Sequence, residues 1–308
     1  MTAYGGAGVH MCIARALEMA GLGSDALRLL PCDRAGRMNG SALEAAIEAD
    51  RAAGLQPFLV VGTAGSVDTG AIDDLAAIAQ CCERHGLWFH VDAAFAAMAM
   101  LSPKLRSQLR GIEQADSVAF DFHKWAQVPY DAGCIVARDA AAQRAAFSRP
   151  AAYLRREARG LAAGEPWPVD LGPELSRGFR ALKVWMTLKT YGADRLGAVV
   201  EHCCALAQQL AEQIEGEPTL ELGVPVGLNI VCFRYRATDD GMQAAIAADL
   251  QEAGEVVLST TVLEGRVVLR AAIVNYRTRK EDVDAIVTAV VAAGAGRRYR
   301  RGRTAPAE

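Results

Sequence analysis

Two hydrophobic periods alternate along the first 140 or so residues. Short continuous apolar runs stand at 26–30 (ALRLL), 57–62 (PFLVVG), 87–92 (LWFHVD), 117–122 (SVAFDF) and 132–139 (AGCIVARD). Runs of that length without polar alternation are what strands buried on both faces show. Between them, 10–20 (HMCIARALEMA), 41–50 (SALEAAIEAD) and the stretch DLAAIAQCCERHG carry apolar residues at helical spacing. Gly21–Gly23 stop the first helix, Ser41 is placed to cap the second, and Asp73 and Gly86 bound the third. This strand–helix alternation predicts a mostly parallel sheet covered by helices. Such a sheet binds ligands beyond the carboxyl ends of its strands.

The pattern changes after about residue 140. Residues 145–172 mix Gly, Pro and charge without a sustained period. A loop of that length is often a lid or a binding segment. Residues 174–215 then read as long helical material interrupted near Tyr191–Gly192, followed by strands at 227–236, 255–264 and 266–274 with helices at about 239–253 and 279–293. The expected division is a large α/β domain over 1–194 with a mobile loop at 145–172. A small C-terminal α/β domain over 195–296 and a frayed basic tail over 297–308 complete it.

Composition narrows the partners. A formal net charge of −3 gives no reason to expect nucleic acid or an anionic membrane, and the basic RRYRRGR block (297–303) reads as a solvated terminus. No apolar stretch is long and clean enough to span a bilayer. The eight cysteines include no CxxC pair, so no metal site is expected; most sit among apolar residues, as in a reducing compartment. The opening MTAYGGAGVH is not a secretory signal, so a cytoplasmic protein is expected.

Asp92 ends the run WFHVD, and Lys124 follows DSVAFDFH, 32 positions later. An acid and a lysine at neighbouring strand ends suit pyridoxal phosphate. The lysine can carry the cofactor as a Schiff base, and the acid can keep the pyridine nitrogen protonated. Separately, Lys124 could be a surface charge and Asp92 a helix cap. Ala93 and Ala94 beside Asp92 leave room for a flat ring, and His90, on the same strand face, is either a supporting contact or a core histidine. His10 opens the first helix, as a cap or as an imidazole stacked on a ring. Thr63 begins GTAGSVDTGAIDD after a buried strand, either a tight turn or a loop approaching a ligand. Tyr153 lies in the long loop, where it is a surface residue or a proton donor on a lid.

HVDAAF, DSVAFDFHKW, VPYDAGC, TAGSVDTGAIDDL and LSRGFRALKVW together resemble the group II pyridoxal-phosphate-dependent amino-acid decarboxylases, from about Tyr4 to about residue 290. The resemblance implies a fold type I transferase-like scaffold, pyridoxal 5′-phosphate as cofactor, an amino-acid substrate and a homodimer with its active site near the interface. It implies that Lys124 carries the cofactor and Asp92 partners the pyridine nitrogen. His10 and Ala94 would flank the ring, Thr63 would lie near its 3′ oxygen, and His123 would contact the phosphate side. Tyr153 matches a loop tyrosine that returns a proton after carbon dioxide leaves, where a phenylalanine would suggest aldehyde-forming relatives. Arg177 falls in a family segment without an assigned role. The departures are also specific. Asp121, at the cofactor site, stands where an asparagine is common, and an ionised carboxylate cannot donate to phosphate. The family's phosphate-cupping turn lies in a segment before the start of this chain. The expected activity is amino-acid decarboxylation; aldehyde synthesis, transamination, or an inactive fragment that only dimerises are the alternatives.

Overall fold

The computed structural model describes residues 1–148 and 152–304. Its first half is a six-stranded sheet of β1 (Thr2–Gly6), β2 (Leu27–Leu30), β3 (Pro57–Thr63), β4 (Trp88–Asp92), β5 (Ser117–Asp121) and β6 (Gly133–Ala137), in the order β2-β1-β3-β4-β5-β6. The pairings among β1–β5 are parallel, and β6 runs antiparallel to β5. The expected mostly parallel sheet is therefore present, with one strand the hydrophobic pattern missed. That strand, β1, reads TAYGG and is buried throughout. Glycines and alanine hide it from a β-propensity reading. The small residues are needed there, because a Cβ on Gly6 would sit 3.2 Å from Cys32 Sγ.

Helices α1 (Cys12–Met19), α2 (Gly40–Ala52) and α3 (Leu75–His85) connect these strands. Leu43 and Ile47 of α2 and Leu75 and Ile78 of α3 join Val60, Phe89 and Val91 of the sheet in the core. Each such side chain contributes about 1.5–3 kcal/mol by leaving water. Two caps differ from expectation. Asn39, not Ser41, accepts the first free N–H of α2, and Asp74, not Asp73, caps α3. Asp73 is drawn inward instead, where its carboxylate accepts the backbone N–H groups of Met38 (2.6 Å) and Thr63 (2.8 Å).

Beyond β6, α4 (Ala140–Phe147) leads into 152–172. There Arg156 lies over the Trp167 ring and pairs with Asp170 at 2.5 Å. Helix α5 (Arg180–Gly216) is interrupted at Gly192, whose φ of 75° leaves the helical region. A second sheet combines β7 (Leu220–Leu222), β8 (Ile230–Tyr235), β9 (Ser259–Leu263) and β10 (Arg266–Ala272) in the order β7-β8-β10-β9, antiparallel throughout. The three-residue β7 was too short to read. Helices α6 (Asp240–Ala253) and α7 (Lys280–Thr304) accompany this sheet. The tail expected to fray is helical backbone as far as Thr304, continuing α7; 305–308 lie outside the described residues. Among the described residues no helix is long and apolar enough to cross a membrane.

One glycine is fixed by both conformation and space. Gly111 has φ +101°, and a Cβ there would sit 2.4 Å from the Ala76 backbone nitrogen at the start of α3. Gly111→Ala is expected to lower the unfolding free energy by about 2–4 kcal/mol in a urea titration. A loss below about 0.5 kcal/mol, the usual surface range, would contradict this packing.

Candidate active site

Parallel register brings the ends of β3 and β4 level, with β5 running two residues beyond them. Thr63 of β3 pairs with Asp92 of β4, and Asp92 pairs with Ala119 of β5. Beyond these ends lies a cavity of about 1000 Å³, lined by His10, Thr63, Asp92, Ala94, Asp121, His123 and Lys124. The structure thus brings together all the sequence-derived site residues except Tyr153. That residue is 78% exposed and lines a separate cavity of about 640 Å³ with Arg144, Phe147 and Asp170.

Each side chain has a local cause for its position. Asp92 is buried, and its Oδ1 accepts the Ala94 N–H at 3.1 Å, closing the turn that follows β4. His90 lies two residues earlier, on the same strand face. Its Nδ1 sits 2.8 Å from Ser117 Oγ, which also accepts the Trp88 indole N–H. Burial pulls the His90 imidazole below its ordinary value against the opposing charge of Asp92. His10 Nδ1 accepts the Cys12 N–H at 3.3 Å, which orients the ring at the head of α1.

Thr63 is held through its backbone N–H by Asp73, while its buried Oγ1 has no protein partner. A buried hydroxyl left unpaired costs about 1–3 kcal/mol, so a polar ligand atom beside it would be stabilised. Lys124 follows β5 in a tight turn. Its neighbour Trp125 is fully buried against Phe95, with ring centroids 4.6 Å apart, which anchors the turn to the core. The Lys124 ammonium donates to Asp121 Oδ2 at 2.8 Å. His123 Nδ1 accepts the Ala132 N–H at 3.0 Å, so Nε2 carries the proton in the neutral ring.

Sequence reading missed the second sheet's share of this site. Arg270 and the segment Val274–Arg277, at and beyond the end of β10, line the same cavity. The available signal was an arginine in the otherwise apolar run RVVLRAAIV.

This donor set fits one end of pyridoxal phosphate. A buried acid, an amine, a small alanine floor and an unpaired hydroxyl match a pyridine ring and its aldehyde. The phosphate end is less provided for. His123 offers one N–H, Arg270 already donates to backbone carbonyls, and Asp121 is an acceptor only.

A second polar cluster has a different character. Ligand atoms of Glu44, Cys81 and His85 lie within 4.8 Å of one another. Arg51 Nη1 reaches His85 Nδ1 at 2.7 Å, His85 Nε2 donates to Glu44 at 2.6 Å, and Arg84 donates to Glu44 at 2.8 Å. Two guanidinium groups therefore occupy the electrostatic place of a cation, and the cluster fastens α2 to α3.

A scaffold with an acid and a lysine at the carboxyl ends of a mostly parallel sheet, and a small antiparallel domain closing the cavity, defines a fold type I pyridoxal-phosphate protein. The model of the pyridoxal-dependent decarboxylase conserved domain matches residues 1–236, and the chain belongs to that family. It is 34% identical over 285 residues to the aromatic-L-amino-acid decarboxylase of Drosophila lebanonensis, covering 92% of this chain and 69% of the relative. It is 33% identical to the 3,4-dihydroxyphenylacetaldehyde synthase of Aedes aegypti, covering 87% of this chain but 51% of that protein. Among solved structures, the TDC of Oryza sativa with PLP and tryptamine superposes with a TM-score of 0.88 at 27% identity, over 96% of this chain and 62% of that one.

Two outcomes follow from this electrostatic arrangement. Hydrogen bonds from His85, Arg84 and Cys81 hold the Glu44 carboxyl down at about 2, from an ordinary 4.5. A depressed carboxyl stabilises the fold above its unfolded value, and that contribution is lost as pH falls from 4.5 toward 2. Glu44→Gln should flatten this acid limb in thermal melts across pH; an unchanged limb would show that the cluster is not coupled to folding. At the cavity, Asp121→Asn should speed covalent capture of pyridoxal phosphate by Lys124 by about tenfold, since the amine no longer breaks a charge-assisted bond first. Stopped-flow absorbance would read the rate, and equal rates would mean that the pair does not restrain the amine.

Proposed function

We propose that this chain catalyses pyridoxal-phosphate-dependent decarboxylation of an L-amino acid, releasing an amine and carbon dioxide. The observation that carries the reading is the convergence of Asp92, Thr63 and Lys124 on one cavity in a chain of this family. When bound, the cofactor supplies an electron-accepting ring for the charge left on carbon as carbon dioxide departs. Asp92 would hold the proton on the ring nitrogen, and Lys124 would hold the cofactor through its amine. His10, Ala94, Thr63 and His123, which line the same cavity, would complete the residues around it.

Tyr153 is proposed as the group that returns a proton to carbon. It lines a cavity other than that of Lys124, so it would come from a rearranged 145–172 segment or from a second copy of the chain. This supports a homodimer with the active site near the interface. The eight cysteines are free, and burial pushes the Cys81, Cys82, Cys204 and Cys232 thiols up to about 12, which supports the cytoplasm as location.

The Aedes aegypti relative, named an aldehyde synthase, supports a second reading, in which dioxygen takes two electrons to become hydrogen peroxide while the amino acid gives an aldehyde, carbon dioxide and ammonia. One experiment separates them. The purified chain with pyridoxal phosphate is offered a panel of L-amino acids, and carbon dioxide, amine, aldehyde and ammonia are measured. Amine in proportion to carbon dioxide is expected, with a loss of at least about 10³-fold in Lys124→Ala. Aldehyde with ammonia would favour the second reading. No carbon dioxide from a chain whose Lys124 carries the cofactor would refute both.

A further inference from the structure

The second sheet is fastened to the two loops that carry Thr63 and Lys124, one fastening on each side of the cavity. The first engages the connection from β3 to α3. This connection turns tightly over Ser66–Gly70, where the Gly70 N–H donates to Ser66 O at 2.8 Å and Ser66 Oγ meets Thr69 Oγ1 at 2.9 Å. Its tip, Val67–Asp68, projects onto the second sheet, and three strands of that sheet reach it. Arg270 Nε of β10 donates to Val67 O (2.9 Å) and Asp68 O (3.2 Å). Thr261 of β9 donates to Asp68 Oδ1 at 2.6 Å, and the Cys232 thiol of β8 donates to Asp68 O at 3.2 Å. The residues just before this tip, Thr63, Gly65 and Ser66, line the cavity.

The second fastening engages the turn after Lys124. The Gln127 N–H closes that turn on Lys124 O at 3.2 Å, and the Gln127 side chain donates to Val274 O, beyond β10, at 3.2 Å. Gln127 adopts φ +58°, a left-handed conformation that costs a non-glycine residue about 1 kcal/mol or more. The contact across the cavity opposes relaxation of that turn. Arg270, Gln127 and Val274 all line the cavity, so both fastenings lie at its edge.

We infer that Arg270 and Gln127 are positioning residues that fix the spacing between Thr63 and Lys124 and the wall facing them. They act through backbone carbonyls, not on the reacting atoms. The cavity is thereby preset rather than assembled by swinging of the small domain, which lowers the ordering cost of ligand binding. The identity of that ligand rests on the function proposed above; the fastening itself does not.

The test uses the full chain and four substitutions. Arg270→Met removes the guanidinium, Arg270→Lys keeps its charge, Thr261→Val removes one hydroxyl at constant shape, and Gln127→Glu removes the donor at constant size. Two readouts are taken: amide hydrogen exchange, and the Kd for pyridoxal phosphate with borohydride-trapped occupancy of Lys124. Arg270→Met and Thr261→Val should raise exchange locally over 64–72, and Gln127→Glu over 124–128. Arg270→Met should weaken the cofactor Kd by about tenfold, the effect of losing charge-assisted hydrogen bonds, and Gln127→Glu by about three- to tenfold, the effect of losing one neutral hydrogen bond. Lys124 should still reach full occupancy at saturating cofactor, and Arg270→Lys should recover part of the affinity. A merely structural role would lower global stability without this split between affinity and saturated occupancy. Unchanged local exchange in all four variants, or a Kd within about twofold of the parent in both Arg270→Met and Gln127→Glu, would overturn the inference. If the parent chain never takes up cofactor at Lys124, the ligand reading fails, and the exchange result alone decides whether the loops are fastened.

Discussion

The site depends on a register. Parallel pairing sets Thr63, Asp92 and Ala119 side by side, so β3 and β4 end level while β5 runs two residues further to Asp121. A slip of one residue would turn Asp92 to the opposite face and place Val91 or Ala93 at the strand end. Two buried contacts resist that slip. Asp73 closes the end of β3 by accepting from Thr63 and ties it to Met38, and Asp92 O accepts the Ala64 N–H. Burial pushes the Asp73 carboxyl upward against the pull of its two backbone donors. An acid is retained in that costly position because one carboxylate satisfies donors from two separate loops at once.

Charge is distributed unevenly across the cavity. Asp92 faces a neutral His90 and a backbone N–H, an environment suited to stabilising a protonated ring nitrogen. At the other end Asp121 and Lys124 satisfy each other, with His123 Nε2 3.8 Å from the same carboxylate. A ligand anion brought beside Asp121 would therefore have to displace an existing ion pair, whereas at Asp92 no such pair stands in the way.

Most of the first sheet was legible because strands buried on both faces leave continuous apolar runs, and the chemistry was legible because Asp92 and Lys124 end two of those runs. What stayed hidden has physical reasons. β1 is short, and the alanine and glycines that its crowded position requires break up the apolar run around Tyr4. The caps shifted by a residue or two because Asp73 serves a tertiary contact that local pattern cannot reveal. Arg270 and Gln127 act through backbone carbonyls of distant loops, and a donor to a carbonyl leaves no motif in the chain that accepts it. Tyr153 was legible as a residue type, but its separation from Lys124 is a matter of three-dimensional path.

That separation and the fastened small domain bear on each other. If Arg270 and Gln127 hold the second sheet against the loops of the first, closure of that sheet would not bring Tyr153 to the cavity. On the function proposed above, the segment between α4 and α5, or its equivalent in a second copy, would have to do so. Its internal contacts suit such a role. Arg156, stacked on Trp167 and paired with Asp170, holds the segment to itself and leaves Tyr153 largely exposed. The segment is also tied to α4, where Gln143 donates to Leu171 O and Arg144 pairs with Glu165, so a displacement would have to carry or break those contacts. Within that proposal the walls around Lys124 and the segment carrying Tyr153 would act together, and the register of β3, β4 and β5 fixes only the walls.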